Sequence, residues 1–291
     1  MIEKCHTTDE NIKIEDYDID VYRRIEDKIQ GHDKVEMLEI EKKFLNGIIR
    51  KYKPKKLLEI GVSKGGSSAI ILNAINDIEG SKLYSIDIQD ECYRIPGKKT
   101  GFLIEESFPE LKSKWEFHTN EISANCMEKV GKDIDFCFID TVHMMPGEML
   151  DILAILPFLK ENAVIVLHDI CLHLRPKAIY KHIYSNNQIF ACLKGKKMLP
   201  TSVGTGEDMG EDVFFNIGAV ELDSHQEDYY FDYFFALSFH WEYMPDESQI
   251  KIFRSFIEKY YDKKYINMFD VALKKNRTFN PAVPPWTRVD V

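Results

Sequence analysis

Leu57-Leu58-Glu59-Ile60-Gly61-Val62-Ser63-Lys64-Gly65-Gly66-Ser67 is the stretch on which the fold turns. Lys56–Ile60 reads as a short apolar strand, Gly61–Gly66 as a glycine-bearing turn, and Ser67 to about Ile75 as a helix whose exposed N–H groups Ser67 or Ser68 can cap. A strand that ends in glycines and enters a helix leaves backbone N–H groups aimed at a ligand, with no side chain blocking the approach. In a parallel sheet that turn lies at the carboxyl ends of the strands, where nucleotides bind. Only Gly61, Gly65 and Gly66 are available, a spacing that departs from the dinucleotide GxGxxG fingerprint and weighs against an NAD-dependent enzyme. By itself the turn is also what any parallel α/β protein uses to reverse its chain.

Working outward, Lys82–Ile86 reads as a second strand ending on Asp87, Trp115–Thr119 as a third, and the nearly continuous apolar run Ile134–Ile139 as a fourth, covered on both faces. A helix from about Gly147 to Lys160 and a strand over Ala163–Leu167 follow. This alternation predicts an α/β protein with a doubly wound, mostly parallel sheet. Upstream, Val35, Leu38, Leu45, Ile48, Ile49 and Tyr52 recur on one face of a helix starting near Asp33 and stopped by Pro54. Asp90–Pro109 reads as a loop leading into a short helix. Beyond residue 170 the pattern changes to a helix over Pro176–Ser185, a Gly-rich acidic loop over Met198–Gly210 and a last, antiparallel strand over Phe214–Leu222. Helical spacing of Ile250, Phe253, Ile257, Tyr260 and Tyr261 marks a C-terminal helical appendage, and Pro281, Pro284 and Pro285 an extended tail. Three parts result: an arm or cap over 1–32, the α/β domain over 33–225, and a helical extension with tail over 226–291.

Hydrophobic residues make up 44% and aromatics 12%, enough for a sizeable core and outside disordered composition. A net charge of −10 argues against nucleic acid as a partner, because phosphate-backbone affinity comes from clustered Lys and Arg. The acidic N-terminus carries no apolar signal-peptide run, and no stretch approaches the roughly 18 apolar residues of a membrane helix, so the expected location is the cytoplasm. The six cysteines form no CxxC pair and read as reduced, mostly buried thiols. The aromatic C-terminal helices fit a cover for the core as well as a homo-oligomer interface.

Three features carry chemistry. Asp87, at the tip of the second strand and about 20 residues after the glycine turn, can accept hydrogen bonds from the two hydroxyls of a ribose. Phe138-Ile139-Asp140-Thr141-Val142-His143 and Val166-Leu167-His168-Asp169 end two neighbouring strands in an acid with a histidine nearby. Asp140 and Asp169 would converge on the edge that holds the glycine turn, and their hard oxygens suit Mg²⁺. His143 and His168 are further ligand candidates, and imidazole would move the preference toward Mn²⁺. The plainer reading is that the two aspartates cap the helices that follow.

Taken in order, Glu-Ile-Gly-Val-Ser-x-Gly-Gly-Ser, Ser-Ile-Asp, Phe-Ile-Asp-x-x-His and Val-Leu-His-Asp resemble the class I S-adenosylmethionine-dependent methyltransferases. Within them the chain is similar to the group of macrocin O-methyltransferase and the cephalosporin hydroxylase-like proteins, over about residues 35 to 220. The resemblance implies a Rossmann-like methyltransferase domain over 33–225 with an S-adenosylmethionine site at Glu59, Gly61, Gly65, Ser67 and Asp87. Glu121 falls near the usual adenine contact. Metal-binding relatives imply Mg²⁺ or Mn²⁺ at Asp140 and Asp169, with His168 where some relatives carry a second acid. Val142 stands where some relatives place an acidic base, which leaves His143 as leading base candidate and His173 as fallback. The implied acceptor is a small polar molecule, with a sugar or nucleotide-sugar hydroxyl favoured, in polysaccharide or secondary-metabolite biosynthesis.

The expected reaction is in-line displacement at the sulfonium methyl by an acceptor oxygen, for which the enzyme must align the reactants and expose a nucleophile. Coordination at Asp140 and Asp169 would acidify the hydroxyl, and His143 could take its proton. An acidic segment, Gly204–Gly210 with Glu207, Asp208, Glu211 and Asp212, fits a mobile lid or an ordinary surface loop. Two rivals use the same fold: a metal-dependent oxygenase or hydrolase built on Asp140, His143 and Asp169, and a catalytically silent binding protein.

Overall fold

The computed structural model describes residues 13–30, 35–174, 183–200 and 216–278. Strands β1 (Lys56–Ile60), β2 (Lys82–Asp87), β3 (Trp115–Thr119), β4 (Ile134–Ile139), β5 (Leu159–His168), β6 (Gly195–Met198) and β7 (Ile217–Leu222) form one sheet. Their order is β3-β2-β1-β4-β5-β7-β6. The first five pair in parallel, while β7 runs antiparallel to β5 and β6 antiparallel to β7. This is a doubly wound, Rossmann-like sheet, mostly parallel, with an antiparallel pair of strands at one edge. The chain builds outward from β1 to β3, then crosses back to place β4 on the other side of β1. The crevice at this reversal, beyond the carboxyl ends of β1 and β4, is where ligands bind in open α/β sheets.

The helices are α1 (Ile19–Arg23), α2 (Glu26–Ile29), α3 (Glu39–Tyr52), α4 (Gly66–Ala74), α5 (Phe102–Ser107), α6 (Ser123–Val130), α7 (Gly147–Ile155), α8 (Ser185–Cys192), α9 (Tyr230–Ala236), α10 (Glu247–Tyr260) and α11 (Lys263–Arg277). They cover both faces of the sheet, and the alternation of side chains along each strand divides the core in two. Phe136 and Phe138 of β4 and Val164 and Val166 of β5 face a core shared with α1, α3 and α4. Cys137, Ile139, Ile165 and Leu167 face the other, shared with α6, α7 and the C-terminal helices. Ile14, Tyr22 and Ile29, from the N-terminal segment, are buried in the first core.

Several boundaries differ from the sequence reading for identifiable reasons. The helix expected from Asp33 begins at Glu39, where Glu41 reaches back to accept the Leu38 N–H at 2.7 Å. The helix expected to reach Lys160 stops at Ile155, because Pro157 cannot donate a backbone hydrogen bond; a 3₁₀ turn follows, and β5 starts at Leu159. Helices α6 and α8 and the short strand β6 had no clear periodic signal. The expectations for 1–12, Asp33, 176–182, the acidic segment 201–215 and the tail from 280 lie outside the described residues. Among the described residues no helix is long and apolar enough to cross a membrane, and Cys92, Cys126, Cys137 and Cys171 are buried free thiols.

The C-terminal helices pack into the same core. Tyr233, Phe234, Trp241, Phe253, Tyr261, Tyr265 and Phe269 are all buried against the β4–β5 face. Phe269→Ala should therefore lower the stability of the whole domain by about 3–5 kcal/mol in urea unfolding. The midpoint of one cooperative transition should fall. A variant that instead gains a separate early transition, with the main one unmoved, would make these helices an independent unit.

Candidate active site

The tips of β1, β2 and β4 are tied by backbone hydrogen bonds: Gly61 N–H donates to Ile86 O and Asp140 N–H to Ile60 O, both at 2.9 Å. This draws the first loop so close to β4 that a Cβ on Gly61 would lie 2.0 Å from the Asp140 carbonyl oxygen. Gly61 also has φ +90°, so both the space and the backbone demand glycine. Asp87 holds the loop from the side. Its Oδ2 accepts the N–H groups of Val62 and Ser63 at 2.9 and 3.1 Å, and its Oδ1 that of Gln89 at 2.8 Å. Gly65 caps α4 and packs against Gly101 without reaching the cavity wall.

Glu59 lies behind the loop and is fully buried. Its two oxygens accept the hydroxyls of Ser67, Ser68 and Ser85 at 2.6, 2.7 and 2.7 Å, joining β1, β2 and the start of α4. Burial pushes its carboxyl up to about 7, against the pull of the three hydroxyls. Glu59 does not line the cavity, so it acts on a ligand only through the loop it braces. Ser67 is on the wall, with its hydroxyl committed to Glu59.

A cavity of ≈ 430 Å³ opens at the switch point. Gly61, Ser63, Asp87 and Glu121 line one part, and Asp140, His143 and Asp169 another. Glu121 accepts Lys129 Nζ at 2.8 Å, and that ammonium holds its pKa below the usual value. Three features of the wall were not anticipated. Ser123 and Thr141 donate to the buried Asp151 at 2.6 and 3.2 Å, and burial pushes that carboxyl up to about 6. Tyr93 and Arg94 enter from the loop after β2. Tyr243, Gln249 and Phe253 come from the C-terminal region, which aromatic helical spacing alone could not connect to a site.

Asp140 and His143 follow β4, and His168 and Asp169 end β5. His143 and Asp169 both take left-handed backbone conformations, φ +59° and +55°, which turn them toward each other beyond the strand ends. His143 Nε2 lies 3.1 Å from Asp169 Oδ2 and 3.8 Å from Asp140 Oδ1. Burial would raise the Asp169 pKa, but His168, His143 and a hydrogen bond from Asn216 hold it below the usual carboxylate range.

His168 is buried behind Asp140 and Asp169. Its Nε2 is 3.2 Å from Glu41 Oε2, and its Nδ1 is 3.3 Å from Asp140 Oδ2 and 3.6 Å from Asp169 Oδ2. Burial disfavours its charge, yet Asp140, Asp169 and Glu41 outweigh that and push its pKa up. The three groups able to surround one ion are Asp140, His143 and Asp169, whose donor atoms lie within 4.8 Å of one another. His173 is not brought to the cavity; it stacks edge-on with Tyr184 at 6.5 Å.

Fold and cavity together give an open α/β sheet with a ligand-sized crevice at its switch point. Residues 58–170 match the family model described as a methyltransferase domain. No curated protein matches the sequence. Among solved structures it is similar to the O-methyltransferase of Bacillus cereus in complex with S-adenosylhomocysteine, at 17% identity and a TM-score of 0.47, over 69% of this chain and 89% of that one. The O-methyltransferase TomG of Streptomyces achromogenes, solved with S-adenosylmethionine, gives 16% and 0.49 over 70% and 89%. The S-adenosylhomocysteine-bound methyltransferase of Podospora anserina gives 13% and 0.45 over 71% and 87%. Similarity at this distance leaves the chemistry to be argued from this chain's own residues.

Glu59 supplies a test of the brace behind the loop. Between its ordinary 4.5 and about 7, the folded protein keeps a proton that the unfolded chain has lost, so this group's contribution falls as pH rises through that window. Glu59→Gln, neutral throughout, should flatten the decline of Tm over that range relative to the parent. Parallel Tm–pH curves for the two proteins would show that Glu59 is ionised in the folded state.

Proposed function

We propose that this protein is an S-adenosylmethionine-dependent O-methyltransferase acting on a small polar acceptor, with the hydroxyl of a sugar or nucleotide-sugar as the favoured class. The observation that carries the reading is a single cavity bordered by both the Gly61 loop with Asp87 and the Asp140–His143–Asp169 cluster. The first part fits a nucleoside: Gly61 brings no side chain, and the Asp87 carboxylate has lone pairs left after its loop bonds. Glu121 and Ile122 offer a polar and an apolar surface beside it for a base. Bound there, the cofactor supplies a methyl group already activated by its sulfonium sulfur.

The second part fits the acceptor. Two carboxylates and an imidazole form a donor set that suits Mg²⁺ or Mn²⁺, with Asp140 and Asp169 as the oxygen ligands and His143 within reach. Such a cation lowers the pKa of a hydroxyl it touches. His143 presents Nε2 to the same space and is the group placed to take the hydroxyl proton, a role typically worth about 10² to 10⁴ in rate. Asp140 and Asp169 fix the direction of that nitrogen, and the walls from Tyr243 and Phe253 keep water from the reacting atoms.

Calorimetry with S-adenosylmethionine is the first test, and Asp87→Ala should weaken binding by about 1.5–3 kcal/mol. Asp140→Asn should leave cofactor affinity nearly unchanged while lowering turnover of sugar or nucleotide-sugar acceptors by roughly 10² or more. EDTA should stop turnover and Mg²⁺ or Mn²⁺ restore it; full activity in excess chelator would leave His143 acting unaided. A folded protein that binds no S-adenosylmethionine would turn the reading to a metal-dependent oxygenase or hydrolase.

A further inference from the structure

Helix α7 is apolar almost throughout, yet it places Asp151 on the cavity wall, only 8% exposed. A carboxylate in that setting costs free energy unless hydrogen bonds compensate it. Ser123, the first residue of α6, donates to Oδ1 at 2.6 Å, and Thr141, just past β4, to Oδ2 at 3.2 Å. The two hydroxyls hold the group by both oxygens and fix its plane. A carboxylate has about four lone-pair sites, so each oxygen keeps acceptor capacity beyond its hydroxyl. The wall on either side is apolar: Ile122 precedes Ser123, and Val142 follows Thr141. Ile88, next to Asp87, lines the same cavity and is 52% exposed, an apolar side chain open beside the acid that faces a ribose.

We propose that Asp151 selects the base of the cofactor: it accepts a hydrogen bond from the exocyclic amine of adenine, whose ring lies against Ile88, Ile122 and Val142. The inference rests on the cofactor reading above and deepens it. A flat apolar ring with a donor on its edge is what such a surface and such an acceptor recognise together. Adenine carries an N–H donor at its 6-position, whereas a 6-oxo purine presents a carbonyl there. Opposite a carboxylate, that carbonyl sets two acceptors face to face with no proton between them, and buried polar groups left unpaired are costly. A second acid, Glu121, lies on the wall next to Ile122, but its side chain is 25% exposed and paired with the Lys129 ammonium at 2.8 Å. Among the described residues no cation is bonded to Asp151, whose partners are the two hydroxyls.

The test is calorimetry of the full chain with S-adenosylhomocysteine and with S-inosylhomocysteine, which carries a 6-oxo group in place of the amine. The parent should bind the adenosyl compound roughly 100-fold more tightly. Asp151→Asn, whose amide can offer an N–H to a carbonyl, should cut that ratio by roughly tenfold or more, and Asp151→Ala should bring it close to unity. Glu121→Gln should leave the ratio nearly unchanged. A parent that binds both compounds equally well would overturn the proposal. So would folded Asp151 variants that weaken both ligands alike, which would make Asp151 a brace between α6, α7 and β4. A ratio that collapses in Glu121→Gln instead would place the amine at Glu121 and overturn it too. If neither Asp151 variant folds, the parent and Glu121→Gln decide between the two acids. A folded parent that binds neither compound would bring down the cofactor reading itself, whereas binding without discrimination of the base removes this inference alone.

Discussion

The architecture depends on the near-contact of two backbones, at Gly61 and Asp140. Hydrogen bonds from Gly61 to β2 and from Asp140 to β1 bring three strand tips into one edge, and that edge leaves no room for a Cβ between the loop and β4. Because the tips coincide, the Gly61 loop and Asp140 are neighbours in space although they lie far apart in sequence. Glu59 and Asp87 then hold the loop from two sides, one from the interior and one from the rim. Displacing any one of these contacts would shift the others, since they share the same few residues of main chain.

The charges beyond β4 and β5 form an equally interdependent set. Two aspartates at adjacent strand ends repel one another and lose hydration, and His168 compensates both as a cation seated behind them. Glu41, from the opposite layer, holds the far nitrogen of that imidazole and in doing so anchors α3 to the sheet. For Asp169 the balance holds its carboxyl below the usual carboxylate range. His143 is tied into the same group at one nitrogen and to Glu148 at the other side of its ring.

The strands carrying the site were legible because apolar runs ending in Gly or Asp mark them directly: β1, β3 and β4 have the bounds read from sequence, and β2 differs only by including Asp87. Asp87, Asp140, His143 and Asp169 were legible for the same reason, since strand ends of a parallel sheet share an edge. Whether Glu59 touches a ligand or braces a loop was not, because both roles place an acid one residue before a strand's final position. His168 could not be separated from Asp169 without the direction of its ring, and Glu41 and Glu148 lie on helices whose periodicity reveals a face but not a partner. Tyr243 and Phe253 reach the cavity through long-range packing, which carries no local sequence signature. Pro157 was a readable stop within a helix expected to continue.

The union of the C-terminal helices with the β4–β5 face also has a bearing on how the chain is made. Leu167 and Phe269 share a core, yet Phe269 leaves the ribosome about a hundred residues later, a delay of several seconds at ordinary rates of synthesis. When Leu167 emerges, that side of the central strands has only α6 and α7 to cover it, the later helices are added one by one over the interval, and the cavity lacks the wall formed by Tyr243 and Phe253 until those residues follow. The nascent domain therefore passes through a stage in which its sheet can form but its binding cavity cannot. An apolar surface is open to chaperones or to aggregation until the last helices dock, so ligand competence and protection from misassembly arrive in the same late step.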